Sequence, residues 1–207
     1  MLDWSLQKVG WPVGRTQSFD RETAVRGARA VFWQSGYEDA SVPDLERATG
    51  LSRSSIYNAF GSKRGLFDAA VQNYLDEVVR PRLGPLQEAE VEPGAITDYL
   101  DGLREALRGA GSAPAANGCL LINAAGAPIA HDAEVARVIA AYRDELRAAV
   151  GHGIAARLPE AAAADRERLA DAVTGLVVAA FALVRIAPEE ASRSLLTARG
   201  LIDGFQQ

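Results

Sequence analysis

Cysteine is almost missing from this chain of 207 residues: Cys119 stands alone. One thiol forms no intramolecular disulfide and no multi-thiolate zinc site, which fits a reducing compartment. Histidine is nearly as scarce, and His131 and His152 do not stand at a metal-ligand spacing. There is no uninterrupted apolar run long enough to cross a bilayer, and the start of the chain lacks the basic-then-apolar order of a signal peptide. Strand-like alternation, an internal repeat and a glycine-rich phosphate loop are all missing from the pattern. Excess positive charge is missing too: Lys and Arg number 22 against 27 Asp and Glu, a formal net charge of −5. Bulk charge therefore does not carry this protein to nucleic acid, and any such contact needs a local basic face. The expectation is a cytoplasmic, all-α protein with no membrane segment, no metal and no other cofactor.

What is present concentrates in Ser41–Phe67, SVPDLERATGLSRSSIYNAFGSKRGLF. Ser41 is placed to cap a helix with Pro43 in its first turn and Gly50 at its end. Gly50 suits a left-handed turn, Leu51 plugs the angle between two helices, and Ser52 caps a second helix over residues 53–60. Gly61-Ser62 closes that helix and opens the next. This is the order of a helix-turn-helix. With Ile56 and Phe60 turned to the core, Arg53, Ser54, Ser55, Tyr57 and Asn58 remain outside. Arg matches guanine edges, Asn matches adenine edges, and serines let the backbone approach the bases, so this helix suits a major groove. Ser41, Ser52 and Ser62 stand at helix starts whose free N–H groups suit phosphates, and Lys63 and Arg64 add charge beside the last of these. Tyr57 fits either a DNA contact or half-buried packing. The stretch holds Arg47, Arg53, Lys63 and Arg64 against Asp44 and Glu46, a local excess of two positive charges.

Residues 19–80 resemble the N-terminal DNA-binding domain of the TetR-like transcriptional regulators. The matching elements are Phe32-Trp33-Gln34-Ser35-Gly36-Tyr37, then Ser41, then Ile56-Tyr57-Asn58-Ala59-Phe60-Gly61-Ser62-Lys63-Arg64-Gly65-Leu66. Arg53-Ser54-Ser55 departs from the Gly or Pro of many relatives, so no relative's target sequence transfers. The resemblance implies a three-helix helix-turn-helix domain joined to a larger helical ligand-binding and dimerisation domain. It further implies a repressor that binds a palindromic double-stranded operator as a homodimer and is released by a small-molecule effector.

The remainder of the chain fills that outline. Residues 1–18, broken by Pro12 and Gly14, read as a flexible arm whose Arg15 either enters a minor groove or belongs to a plain tail. Asp20 caps a first helix carrying Ala24, Ala28, Val31 and Phe32 and stopped by Gly36. The helix from Ser62 is predicted to end before Pro81, where the domains 19–80 and 81–207 divide. Helices are predicted over about 94–110, 118–127, from Asp132 to about 154, 165–186 and 189–205, with a loop over 109–117. Leu169, Val173, Leu176, Ala180 and Phe181 on one of the last two helices, with Leu195, Ala198, Ile202 and Phe205 on the other, form the predicted dimer interface; an ordinary monomeric core is the alternative.

For the effector pocket the helix faces offer Leu103, Leu107, Leu121, Ile122, Val138 and Tyr142, with Asn123, His131 and Arg185 as polar groups. Cys119 stands early in a helix, where it is either a sensor of electrophiles or an inert buried thiol. Enzymatic readings find little: a Cys119–His131 pair is the basis of a thiol-dependent redox or conjugating alternative, and a helical interaction module without DNA is a third.

Overall fold

The computed structural model describes residues 20–109 and 111–205, and all of its regular elements are helical. Arg15 and the rest of the predicted arm lie outside the described residues. Four side-chain caps fix where the first four helices begin. Asp20 accepts from the Glu22 amide at 3.1 Å ahead of α1 (Arg21–Asp39), and Ser41 from the Asp44 amide at 3.2 Å ahead of α2 (Val42–Thr49). Ser52 accepts from the Ser55 amide at 3.2 Å ahead of α3 (Arg53–Phe60), and Ser62 from the Gly65 amide at 3.0 Å ahead of α4 (Lys63–Tyr74). Each such cap is worth about 1 kcal/mol, and here their spacing sets the register of the helix-turn-helix.

Gly50 makes the turn between α2 and α3 in the left-handed region, at φ 68°. Gly27 serves a different purpose: a Cβ there would sit 2.2 Å from the Ala48 carbonyl oxygen, so α1 and α2 touch backbone to backbone. Beneath them Phe32, Leu45, Ile56, Leu66 and Phe67 form a dry core. The Phe67 ring meets Phe32 and Tyr37 edge-on, each at 5.2 Å.

The rod that leaves this head runs further than the sequence predicts. After Tyr74 it continues as a π-helical segment, Leu75–Val79, and then as α5 (Arg80–Leu83), passing through Pro81 instead of ending before it. A proline ring crowds the carbonyl four residues back and supplies no N–H. The wide π turn lies directly ahead of Pro81 and re-spaces those carbonyls, which lets the helix carry on. A short 3₁₀ turn, Gly84–Leu86, ends it.

The body comprises α6 (Ala95–Arg108), α7 (Ala113–Asn117), α8 (Leu120–Ala125), α9 (Ala133–Arg157), α10 (Ala163–Leu183) and α11 (Pro188–Gly204). Helix α7 falls in the predicted loop: Ser112 caps it through the Ala115 amide at 3.2 Å, and Pro114 occupies its first turn. Gly118, at φ 68°, delays α8 so that Cys119 is its N-cap residue. Buried residues from Ala24 to Ile202 form one continuous core, and Val79, Leu83 and Leu86 belong to it. Polar ties reinforce the joint between head and body. Trp33 Nε1 donates to the Gly118 carbonyl at 3.0 Å, and Glu38 accepts from the Ile129 amide at 2.7 Å. Arg64 reaches Asp132 at 2.6 Å.

Candidate nucleic-acid interface

Helix α3 lies across the head with Ile56 in the core, which turns Arg53, Ser54 and Asn58 to the surface. Ser55 is half-buried, and Tyr57 is 36% exposed with its ring 5.5 Å from the Arg53 guanidinium. That cation–π contact pre-orders the arginine beside the tyrosine hydroxyl. The Ser52 hydroxyl lies 2.9 Å from Ser54 Oγ and 3.0 Å from Ser55 Oγ, so the first turn carries three linked hydroxyls. The exposed stripe is wholly hydrogen-bonding and ends in one positive charge. Such a surface reads base edges.

The flanking contacts differ from the sequence expectation in three places. The first amides of α3 are already occupied: Glu46 accepts from the Arg53 amide and Ser52 from the Ser55 amide, so a phosphate would have to displace a carboxylate at that end. Lys63 is half-buried, with its ammonium 4.7 Å from the Tyr37 ring and donating to the Glu38 carbonyl at 3.3 Å. Arg64 turns away from the α3 surface to pair with Asp68 at 2.8 Å and Asp132 at 2.6 Å. The Arg64 hydrogen bond holds the Asp132 carboxyl down at about 2. Arg47, counted from the sequence toward the local positive charge but not assigned a contact, has a side chain 72% exposed and paired with Asp44 of its own helix. A basic residue in the last turn of α2, next to the turn that leads into α3, was the available signal. Ser41 is exposed at the start of α2 and hydrogen-bonds the Asp44 carboxylate as well as its amide.

The residues proposed for one effector pocket are dispersed. Leu103 borders a cavity of about 730 Å³ between α5 and α6. It also shares with Tyr142 a void of about 20 Å³ in the core. Leu121 and Val138 line a separate space of about 170 Å³, and Asn123 and Arg185 a fourth of about 450 Å³ against the end of α1. Leu107 is buried core, Ile122 is half-buried, and His131 is exposed on a 3₁₀ turn. One pocket cannot gather this set, because helix faces give periodicity and not which neighbour each face meets.

Cys119 is fully buried, its thiol donating to the Tyr142 hydroxyl at 3.6 Å. Burial first, and the nearby thiol second, push the Tyr74 and Tyr142 hydroxyls well above their ordinary range. With the thiol enclosed by tyrosines and His131 at the surface, the pair required by a thiol-dependent enzyme is not assembled.

Most of the residues predicted for a joint between subunits turn inward. Leu169, Val173, Ala180, Phe181, Leu195, Ala198 and Ile202 are buried within the chain, where α10 and α11 pack on each other and on the body. The greasy arc of α10 is satisfied by these neighbours. Leu176 is half-buried, and Ile186, Leu196, Leu201 and Phe205 are exposed.

A short helix-turn-helix with its second helix outward, mounted by a continuous rod on a helical body, defines a DNA-binding regulator. Residues 24–70 match the pattern described as "Bacterial regulatory proteins, tetR family". The HTH-type transcriptional regulator YezE of Bacillus subtilis is 32% identical over 143 residues, 69% of this chain and 72% of that one. The HTH-type transcriptional repressor ComR of Escherichia coli is 37% identical over 121 residues, 58% of this chain and 56% of that one. Among solved structures, a cysteine mutant of the TetR family regulator CifR, complexed with 26-bp operator DNA, is 30% identical at a TM-score of 0.74, covering 92% of this chain and 98% of that one. The chain belongs to the TetR family, and it is a DNA-binding transcription regulator, not an enzyme. No described helix is long and apolar enough to cross a membrane.

Proposed function

We propose that the protein is a cytoplasmic one-component repressor that binds a palindromic operator as a homodimer and is released by a small-molecule effector. The observation that carries this is the outward stripe of α3, Arg53, Ser54, Tyr57 and Asn58, over a buried Ile56. Ser41, Ser52 and Ser55 steady that stripe, Arg47 supplies a backbone contact, and Lys63 supplies a second once DNA draws it from the Tyr37 face. Arg15 is assigned to the arm that precedes the head. ComR is named as a repressor and CifR is solved on operator DNA, which supports the same reading.

One head of this size reads few base pairs, so two copies on a twofold axis are needed for useful specificity. The joint is assigned to α10 and α11, with Leu176, Leu201 and Phe205 as its accessible apolar residues. The head is residues 19–80 and the body residues 81–207, joined by the rod from Lys63 to Leu83. Since Tyr74 on the rod packs against Cys119 and Trp33, a ligand that repacks the body tilts the rod and changes the distance between the two reading helices.

The test is a footprint on DNA flanking the protein's own gene together with the mass of the complex. Two chains on a symmetric site are expected, and Leu201→Asp is expected to abolish both dimer and footprint while leaving helicity intact. A monomer that binds with wild-type affinity would overturn the dimeric reading.

A further inference from the structure

Four charged side chains without partners line the cavity of about 730 Å³ where the rod turns into α6. Its lining carries Arg82, Glu88, Glu92 and Asp98. Among the described residues none of these four side chains has an ion-pair or hydrogen-bond partner. Elsewhere Arg26, Arg64, Arg80, Arg147 and Arg199 are all paired with carboxylates. Three carboxylates against one guanidinium leave the cavity with an excess of two negative charges.

The floor beneath the charged rim is of another character. Leu103 is buried, Tyr99 is half-buried, and Pro81 and Pro85 form a stiff apolar wall. Gly102 lies one turn along α6 from Asp98 and Tyr99, and a Cβ built on it would meet nothing within 4 Å. Glycine in mid-helix is a costly choice that keeps this groove open. The volume falls in the range of roughly 300–1,000 Å³ that suits drug-sized ligands. The carboxylates do not converge tightly enough to hold a metal ion, since no group of three candidate ligands is found among the described residues. A diffuse positive charge on an apolar body satisfies both rim and floor.

We propose that this cavity binds a lipophilic organic cation, its charge between the rim carboxylates and the face of Tyr99 and its apolar portion on Leu103 and the prolines. This rests on the effector reading above and gives it a chemical class. The cavity is also connected to the rod: Arg82, Tyr99 and Leu103 border both it and the small void that touches Tyr74. A cation that shifts Tyr99 therefore presses on the side chain through which α4 meets the body.

The probe is 4-phenylbutyltrimethylammonium, titrated calorimetrically into the full chain beside its uncharged carbon isostere and 5-phenylpentanoate. The ammonium ion is expected to bind more tightly than either, and less tightly as salt screens the exposed rim. Glu88→Gln/Glu92→Gln/Asp98→Asn is expected to weaken it about tenfold, the summed effect of three surface charge interactions. Arg82→Gln is expected to tighten it, and Gly102→Phe to remove it with the melting temperature preserved or raised. Equal binding of the ammonium ion and its isostere, or indifference to the triple substitution, would overturn the charge assignment. If the wild type ignores the cation but another compound binds, displaces operator and is blocked by Gly102→Phe, the effector reading stands and the cation class falls. Cation binding that obeys the variants and never alters operator affinity would support the site and sink its role as the effector switch.

Discussion

The head carries its hydrogen-bonding stripe on the surface, whereas the body also holds hydrogen-bonding groups inside its core. In the head, Arg53, Ser54, Tyr57 and Asn58 point to solvent over Ile56, and side-chain caps from neighbouring residues hold the turns. In the body, Cys119 and Tyr142 face inward and meet Tyr74 of the rod, while much of the outer surface is ion-paired or apolar. The difference separates two kinds of sensitivity. A surface substitution on α3 is expected to remove reading without disturbing the fold, whereas polar substitutions in the body are expected to act through packing, on the rod and on the ties from Trp33 and Glu38 of α1 to the body.

The contrast breaks most severely where the head is tightest. Gly27→Val would drive a side chain into the Ala48 carbonyl, whose oxygen lies 2.2 Å from the Cβ position. A loss of about 3 kcal/mol or more is expected by urea denaturation, with operator binding lost alongside it. Next in size, Arg53→Ala should reduce operator affinity by about 1–3 kcal/mol and relax base preference, with circular dichroism unchanged. Wild-type selectivity in that variant would remove α3 from the groove.

A smaller effect belongs to the buried cluster. Tyr142→Phe removes the oxygen that the Cys119 thiol meets at 3.6 Å. A loss of about 0.5–1.5 kcal/mol is expected from thermal melting, together with a changed response to effector but no change in base preference. The smallest concerns acid. Asp132 titrates at about 2 in the folded chain against an ordinary 3.8, held down first by its hydrogen bond with Arg64. Because the folded value is depressed, its stabilisation is present above about pH 4 and fades as pH falls towards 2. Asp132→Asn keeps a good helix cap but removes the charge. Wild type should therefore lose more stability than the variant between pH 5 and pH 3, measured by denaturation at each pH. Equal losses would mean that the tie between α4 and α9 is energetically idle.

The head was legible because its rules are short-range. Ser41, Ser52 and Ser62 with Gly50 and Gly61 act within three or four residues, so spacing alone recovered the caps, the turn and the outward stripe. The same logic missed what distant partners decide. Nothing near Arg64 announces Asp132, and nothing near Lys63 announces that the Tyr37 ring will hold it. Pro81 read as a stop because a π turn, which has no sequence rule, relieves it. In the body the apolar arcs of α10 and α11 were visible, but which arc meets the chain's own core and which stays open depends on how six helices are arranged. Residues such as Leu169 and Ile202 therefore went to the wrong face, and the effector candidates were divided among separate cavities.

The central claim is that two copies of α3 read two half-sites at once. It is tested most directly by hydroxyl-radical footprinting of the protein on its bound DNA, with the mass of the complex measured in parallel. The account predicts two protected major-groove faces related by twofold symmetry, centred about 34–36 Å or a multiple of that apart, occupied by an even number of chains and lost in Arg53→Ala. A single asymmetric footprint held by one chain, or protection unchanged in Arg53→Ala, would contradict it.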